Sequence, residues 1–427
     1  IAVDNGKYII KDVSVTNGGS YVNRLEIVAG IGTGVTNERI KGKYDLKLNK
    51  VDSYTGQNLD GAVFNIQVEK DGESHTLYKS TDDVNSNEVL LPATNVQVTN
   101  GSVTIKDIRI EEPGREKQES YIIILTEITP PTGKYMLLDA PIKLQVTTNT
   151  SGEGDDEKFI VESVELIDDE NHGLVTIDYD EDEIEITAKN EYFDLALRKS
   201  ITSVAYPDSD DAKITEEETK DRIPNVLTEG LVNGTSTTAV YQHNKQPVRV
   251  YKGQEVIYTL RVYNEGEIDG YAEEITDYLP EWLEFVDDDF NRERGWIQDE
   301  GNSKIVRTTN LSQAYEYENG VDNLLKARDK VTGDLDYREI EIKCIVTDDV
   351  KSKTIITNIA EISKSVAYDR VNTLDRDSET NNVEVPETSE GMSNYRNDEA
   401  MSSNAETYIE GQQDDAVSYT HLTLPTN

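Results

Sequence analysis

The sequence predicts an all-β chain of tandem β-sandwiches, immunoglobulin-like or prealbumin-like in style, and three observations carry that prediction. Short segments of alternating apolar and polar residues recur along the chain, as in Val256-Ile257-Tyr258-Thr259-Leu260-Arg261-Val262. Turn-forming residues punctuate them at Thr55-Gly56, Asn100-Gly101, Pro130-Pro131-Thr132-Gly133, Ser151-Gly152 and Asn264-Glu265-Gly266. Only Val321–Lys330 reads as a helix of any length. At 427 residues the chain has room for two or three domains, each able to bury its own core.

Residues 1–40 hold strand-like pieces (Tyr8-Ile9-Ile10, Arg24–Val28) and end in Gly30-Ile31-Gly32-Thr33-Gly34, which reads as the close of an upstream module and a linker. No Lys-Ser/Thr pair or long helix comes after those glycines, so they are not a phosphate loop. Residues 41–192 form a first sandwich and residues 193–385 a second. The start of the second, Asp194-Leu195-Ala196-Leu197-Arg198-Lys199, echoes Asp45-Leu46-Lys47-Leu48-Asn49-Lys50. From Pro386 to Asn427 the chain is rich in Ser, Asn, Glu and Thr and reads as a disordered linker. Its last stretch, Val417–Asn427, loses all acidic residues and looks foreign to the rest. Leu424-Pro425-Thr426-Asn427 lacks the Thr-Gly, apolar span and basic tail of a sortase signal.

Composition excludes several classes of function. With 42 Lys+Arg against 84 Asp+Glu the formal charge is −42, which argues against nucleic acid or anionic membrane as partner. No apolar stretch has membrane-spanning length and no signal peptide is present; with Ile1 at its start, the chain reads as a fragment of an exported, extracellular protein. The single cysteine, Cys344, rules out an intramolecular disulfide and reads as a small buried hydrophobe in the strand Ile340–Val346. The histidines His75, His172, His243 and His421 show no ligand spacing. Acidic runs at Asp155–Glu157, Asp178–Glu183 and Asp287–Asp289, and Asp375-Arg376-Asp377-Ser378, have the composition for calcium but lack its Gly-pinned loop. No cofactor is expected, and calcium is the one metal left in view. No nucleophile–base pair suggests an enzyme.

Six polar residues break the inward pattern. Alternation puts Lys50 on the face of Leu46 and Leu48, Glu127 with Ile123 and Leu125, and Asn190 with Ile184, Ile186 and Ala188. In the second half Lys199 follows Leu195 and Leu197, Asp277 lies between Ile275 and Leu279, and Asn358 between Ile356 and Ala360. An isolated buried charge is costly, and one such residue would suggest a wrong register. Two sets of Lys, acid and Asn suggest chemistry.

The runs Leu48-Asn49-Lys50-Val51-Asp52 and Leu59-Asp60-Gly61-Ala62-Val63-Phe64-Asn65-Ile66 resemble the opening of the Cna B-type, SpaA-like prealbumin-fold domain of Gram-positive surface proteins. Thr126-Glu127-Ile128-Thr129-Pro130-Pro131-Thr132-Gly133-Lys134-Tyr135 is similar to that family's Glu strand and Pro-Gly-Tyr turn, with Lys134 interposed, and Ile186–Asn190 resembles its Asn-ending last strand. The resemblance covers residues 43–191, with extra length around Thr81–Val98 and Ser151–Thr176. Gly253–Leu260, Ile275–Pro280 and Thr357–Glu361 resemble the conserved-repeat domain of bacterial surface proteins, related in style to Cna A-type sandwiches.

The resemblance implies a self-formed intramolecular isopeptide bond in each sandwich: Lys50–Asn190 with Glu127 as the autocatalytic acid, and Lys199–Asn358 with Asp277. The chemistry agrees, because burial favours a neutral amine and a protonated acid beside a carboxamide. It implies stalk or spacer modules of a cell-surface adhesin, partnered by other domains of the same protein and located at the cell wall. Two other readings are a ligand-binding head for host matrix protein or glycan, using the insertions Thr81–Val98 and Asp208–Thr237, and a sortase-assembled pilin. For the latter, Ser203–Asp208 carries Asp208 where the linking Lys belongs.

Overall fold

The computed structural model describes residues 42–81, 87–110, 118–132, 135–152, 158–171, 173–207, 222–236, 238–244, 247–368, 375, 376, 380 and 383, with 2–4, 7–9 and 416–423 as backbone. They divide into two compact units. The first comprises Ile1–Asp52, Asn58–Thr132 and Leu137–Asn190, the second Ser53–Gln57, Gly133–Met136 and Glu191–Asn427. Both are all-β sandwiches, as the alternating pattern predicts.

In the first unit, β1 (Lys43–Asp52), β2 (Val63–Lys70), β3 (Glu73–Ser74), β4 (Ala93–Gln97), β5 (Ser102–Arg109), β6 (Glu119–Thr129), β7 (Ile142–Ser151), β8 (Lys158–Ile167), β9 (Val175–Tyr179) and β10 (Glu183–Asn190) build two sheets. One has the order β9-β10-β1-β5; the other runs β8-β7-β6-β2-β3, with β4 also on β2. Period-2 burial is clear on β1, where Tyr44, Leu46, Leu48, Lys50 and Asp52 point inward, and on β10, where Ile184, Ile186, Ala188 and Asn190 do. These inward faces meet Phe64, Ile66, Val68, Ile123, Leu125, Ile142, Leu144 and Val146 of the opposite sheet in one core. The β4–β5 connection turns on Asn100-Gly101, both at positive φ (53° and 79°), closed by a reciprocal Thr99–Ser102 backbone pair. Such a two-residue turn demands left-handed backbone at both positions, hence Asn-Gly. Strands β1 and β10, at the two ends of this unit's sequence, lie side by side and parallel, Lys50 opposite Ala188 and Asp52 opposite Asn190.

The second unit contains β11 (Leu195–Ala205), β12 (Val248–Arg249), β13 (Glu255–Asn264), β14 (Gly270–Tyr278), β15 (Leu283–Phe285), β16 (Ile297–Gln298), β17 (Ile305–Thr308), β18 (Tyr337–Val346), β19 (Ile355–Ala367) and β20 (Ala416–Thr423). Its sheets have the orders β11-β13-β18-β15 and β12-β20-β19-β14-β17-β16. The core between them holds Leu195, Leu197, Ile201, Tyr258, Leu260, Ile275, Ile342, Cys344, Ile356 and Ala360. Cys344 is fully buried in β18, and burial pushes its thiol up.

Two expectations are corrected. Val321–Lys330 is not helical; the helix lies just upstream, at Gln313–Asn319, and ends on Gly320 in the left-handed conformation. Beyond it the chain is held open, because Glu316 accepts the N–H groups of Asn323 and Leu324, and Leu325 bridges Gly270. Part of the tail read as disordered linker is also a strand: β20 runs antiparallel to β19, with Tyr419 opposite Asn358. Alternation in Val417-Ser418-Tyr419-Thr420 suits a strand, whatever the change in composition says. The Gly30–Gly34 run, His172, Asp155–Glu157, Asp208 and 386–415 fall outside the described residues.

Candidate functional site

In the first unit Lys50, Glu127 and Asn190 converge in the core, with 0%, 6% and 1% of their surfaces exposed. Each occupies the inward slot that alternation assigns it, so the sheets bring them together from β1, β6 and β10. Lys50 and Asn190 come from adjacent parallel strands of one sheet; Glu127 reaches across from the other. Lys50 Nζ lies 3.0 Å from Glu127 Oε1. Glu127 Oε2 accepts hydrogen bonds from Asn190 Nδ2 at 3.0 Å and from the backbone N–H of Leu138 at 2.8 Å. The Phe64 ring, opposite Glu127 in the β2–β6 register, sits 5.4 Å from Lys50 Nζ. Burial pulls the Lys50 ammonium below its ordinary pKa, and the nearby Glu127 only partly opposes this.

The second unit repeats the chemistry with another topology. Lys199 lies on β11 in one sheet; Asp277 on β14 and Asn358 on β19 are neighbours in the other. All three are essentially fully buried. Lys199 Nζ donates a short hydrogen bond to Asp277 Oδ2 and sits 4.8 Å from the Tyr258 ring centre. Asp277 is pushed above the usual carboxylate range by burial, against the opposing pull of Lys199 and of the Asn358 amide beside it. Lys199 is lowered, again by burial first. A Lys–Asn bond here would tie sheet to sheet; in the first unit it would tie neighbouring strands within one sheet.

Both trios are dry, and a charged pair in such a place is held at the cost of its lost hydration. A neutral amine, a neutral acid and a carboxamide remove that cost and are also the reactants of amide exchange. Three contributors were not singled out from sequence. Phe64 and Tyr258 cover the amines and were legible as inward aromatics, on the faces of Ile66 and Leu260. The Leu138 N–H had no sequence signal, because any residue but proline carries one. Among the described residues no group of three His, Cys, Asp or Glu side chains is placed to hold a metal. Of the calcium candidates, Asp288 caps a short helix and pairs with Lys343, and Asp287 pairs with Arg292.

No family model matches the chain, and no curated protein matches it in sequence. Among solved structures it is similar to BcpA, the major pilin subunit of Bacillus cereus, at 12% identity and TM-score 0.28, over 74% of this chain and 63% of that one. It is also similar to the RrgB pilus protein of Streptococcus pneumoniae, at 11% identity and TM-score 0.30, over 81% of this chain and 52% of that one. A third is the major pilin SpaA of Corynebacterium diphtheriae, at 10% identity and TM-score 0.23, over 88% and 69%. The chain thus spans about half to two-thirds of the length of these Gram-positive pilins. Scores this low carry no functional argument, and the all-β class rests on the sheets themselves. Among the described residues no helix is long and apolar enough to cross a membrane.

Proposed function

We propose that the two sandwiches are structural spacer modules of a bacterial cell-surface stalk or pilus-like fibre, each closed by a self-formed Lys–Asn isopeptide bond. The observation that carries this reading is the pair of buried Lys–acid–Asn trios, Lys50–Glu127–Asn190 and Lys199–Asp277–Asn358. In each, the neutral amine attacks the Asn side-chain carbonyl carbon while the acid lies between the two nitrogens that exchange a proton. The acid then relays one proton from the incoming nitrogen to the outgoing one; ammonia leaves and a neutral amide remains. Holding three groups in one dry pocket replaces encounters that would be slow in solution. Each acid acts once, in its own domain, so no external substrate is turned over.

The tie matters for tension. With Lys50 on the first strand of its sandwich and Asn190 on the last, force passes through the new amide and bypasses residues 51–189. In the second unit it bypasses residues 200–357. Fully extended, those stretches would add roughly 480 Å and 540 Å of length. The natural partners in this reading are the neighbouring domains of the same extracellular protein. The test is single-molecule stretching of the full chain. Wild type should lengthen by neither increment; Asn190→Ala should release the first alone and Asn358→Ala the second alone. Release of both increments from wild-type chains would reject the proposal.

A further inference from the structure

The two acids are held differently, and the difference points to a positioning group. Glu127 Oε2 is occupied twice, by the Leu138 N–H at 2.8 Å and by Asn190 Nδ2 at 3.0 Å. Oε1 faces Lys50 Nζ at 3.0 Å and has no aligned hydrogen bond. Leu138 lies in the segment between β6, which carries Glu127, and β7, and its own side chain is anchored in the core. Among the described residues Asp277 has no such backbone donor; its neighbours are Lys199 and Asn358.

We infer that the backbone N–H of Leu138 is the positioning donor of the first crosslinking reaction, pinning Glu127 Oε2 beside Asn190 Nδ2 while Oε1 faces the Lys50 amine. This rests on the proposed Lys50–Asn190 bond and adds a division of labour between the two oxygens. The Lys50 Nζ lone pair forms the bond to Asn190 Cγ, and the Cγ–Nδ2 pair leaves with nitrogen. Glu127 Oε1 takes one amine proton and Oε2, which holds Nδ2, returns one to that nitrogen, so ammonia departs and the carboxyl ends protonated as it began. Oε2 stays on the Leu138 N–H throughout and keeps the carboxyl plane aimed at both nitrogens. Losing an N–H donor to a carboxyl oxygen should displace the acid limb of the reaction's pH–rate profile upward.

The test replaces the Leu138 amide with an ester in the full chain, by suppressor-tRNA insertion of the hydroxy acid during cell-free synthesis. The Lys50–Asn190 peptide is then followed by mass spectrometry as a function of time and pH. A second ester, at Gly101, removes an N–H that donates to Asp60 at 2.7 Å in the same unit and controls for the general cost of a lost backbone donor. The ester at 138 should slow the plateau about tenfold, the penalty of an acid no longer held in place. It should also move the acid limb up by about one pH unit, with the Lys199–Asn358 bond and the Gly101 ester chain unaffected. A slower plateau with an unmoved limb is a merely structural effect and overturns the inference; so does a moved limb at undiminished rate.

If the ester chain does not fold, Asn190→Ala labelled at leucine nitrogen decides. The Leu138 amide proton should shift when Glu127→Gln is added, and an amide shift indifferent to that substitution overturns the inference. A wild-type chain with no Lys50–Asn190 peptide sinks the crosslink itself. A crosslinked wild type with a silent ester sinks only the role of Leu138.

Discussion

Asn190→Ala removes the electrophile of the proposed first crosslink and leaves Lys50 and Glu127 facing each other. The loop closed by the bond spans 140 residues of sequence, Lys50 to Asn190. By the loop-closure relation used for disulfides, a tie of that length lowers the entropy of the unfolded chain by an amount worth about 5 kcal/mol at 25 °C. The lost Asn190–Glu127 hydrogen bond contributes about 1 kcal/mol more. For a domain of this size each kcal/mol moves the midpoint by about 2–4 °C, so the first unit should melt about 12–24 °C lower. Calorimetry of the full chain measures this directly, with the second unit's transition as internal reference. Intact mass should show the variant lighter than its own sequence by one ammonia, where wild type is lighter by two. A fall of only about 3 °C, the cost of the hydrogen bond alone, would mean that no covalent loop closes the wild-type domain, and the reasoning would be refuted.

The same geometry sets four further outcomes. Glu127→Gln preserves shape but cannot relay a proton, so the first bond should fail to form while the second does, read as one ammonia regained in the intact mass. Asp277→Asn should produce the mirror result, and loss of both bonds from either variant would contradict independent sites. In Asn358→Ala the unreacted Lys199 and Asp277 remain buried, the first lowered and the second raised. Above the unfolded carboxylate pKa the folded unit holds the extra Asp277 proton, so its stability falls as pH rises through that window. Between the lowered Lys199 pKa and the unfolded lysine value it holds one proton fewer, so stability recovers. Melting against pH should therefore show a trough between those two windows, where a peak would mean a net-stabilising ion pair. Finally, native Cys344 should resist alkylation at pH 8 and react only on unfolding, since it is fully buried and its thiol is pushed up.

The fold class and the inward placement of six polar residues were legible in the sequence for one reason: a sandwich strand repeats every two residues, so a Lys, acid or Asn in an inward slot stands out against Leu and Ile. Lys50 after Leu46 and Leu48 is the clearest case. What alternation does not encode is which sheet a strand joins. Hence only strand order shows that Lys50 and Asn190 share one sheet while Lys199 and Asn358 lie in opposite ones. The Val321–Lys330 expectation failed because the apolar spacing there serves buried loop positions such as Leu325 rather than a helical stripe. Composition misjudged Ala416–Thr423, since a strand can pair through its backbone with any alternating sequence.

The intact mass of the purified wild-type chain weighs the whole account at once. Two closed sandwiches require a chain lighter than its sequence by two ammonia molecules, with the deficit carried by peptides joining Lys50 to Asn190 and Lys199 to Asn358. A chain at its full sequence mass would show that amine, acid and amide meet in both cores without reacting.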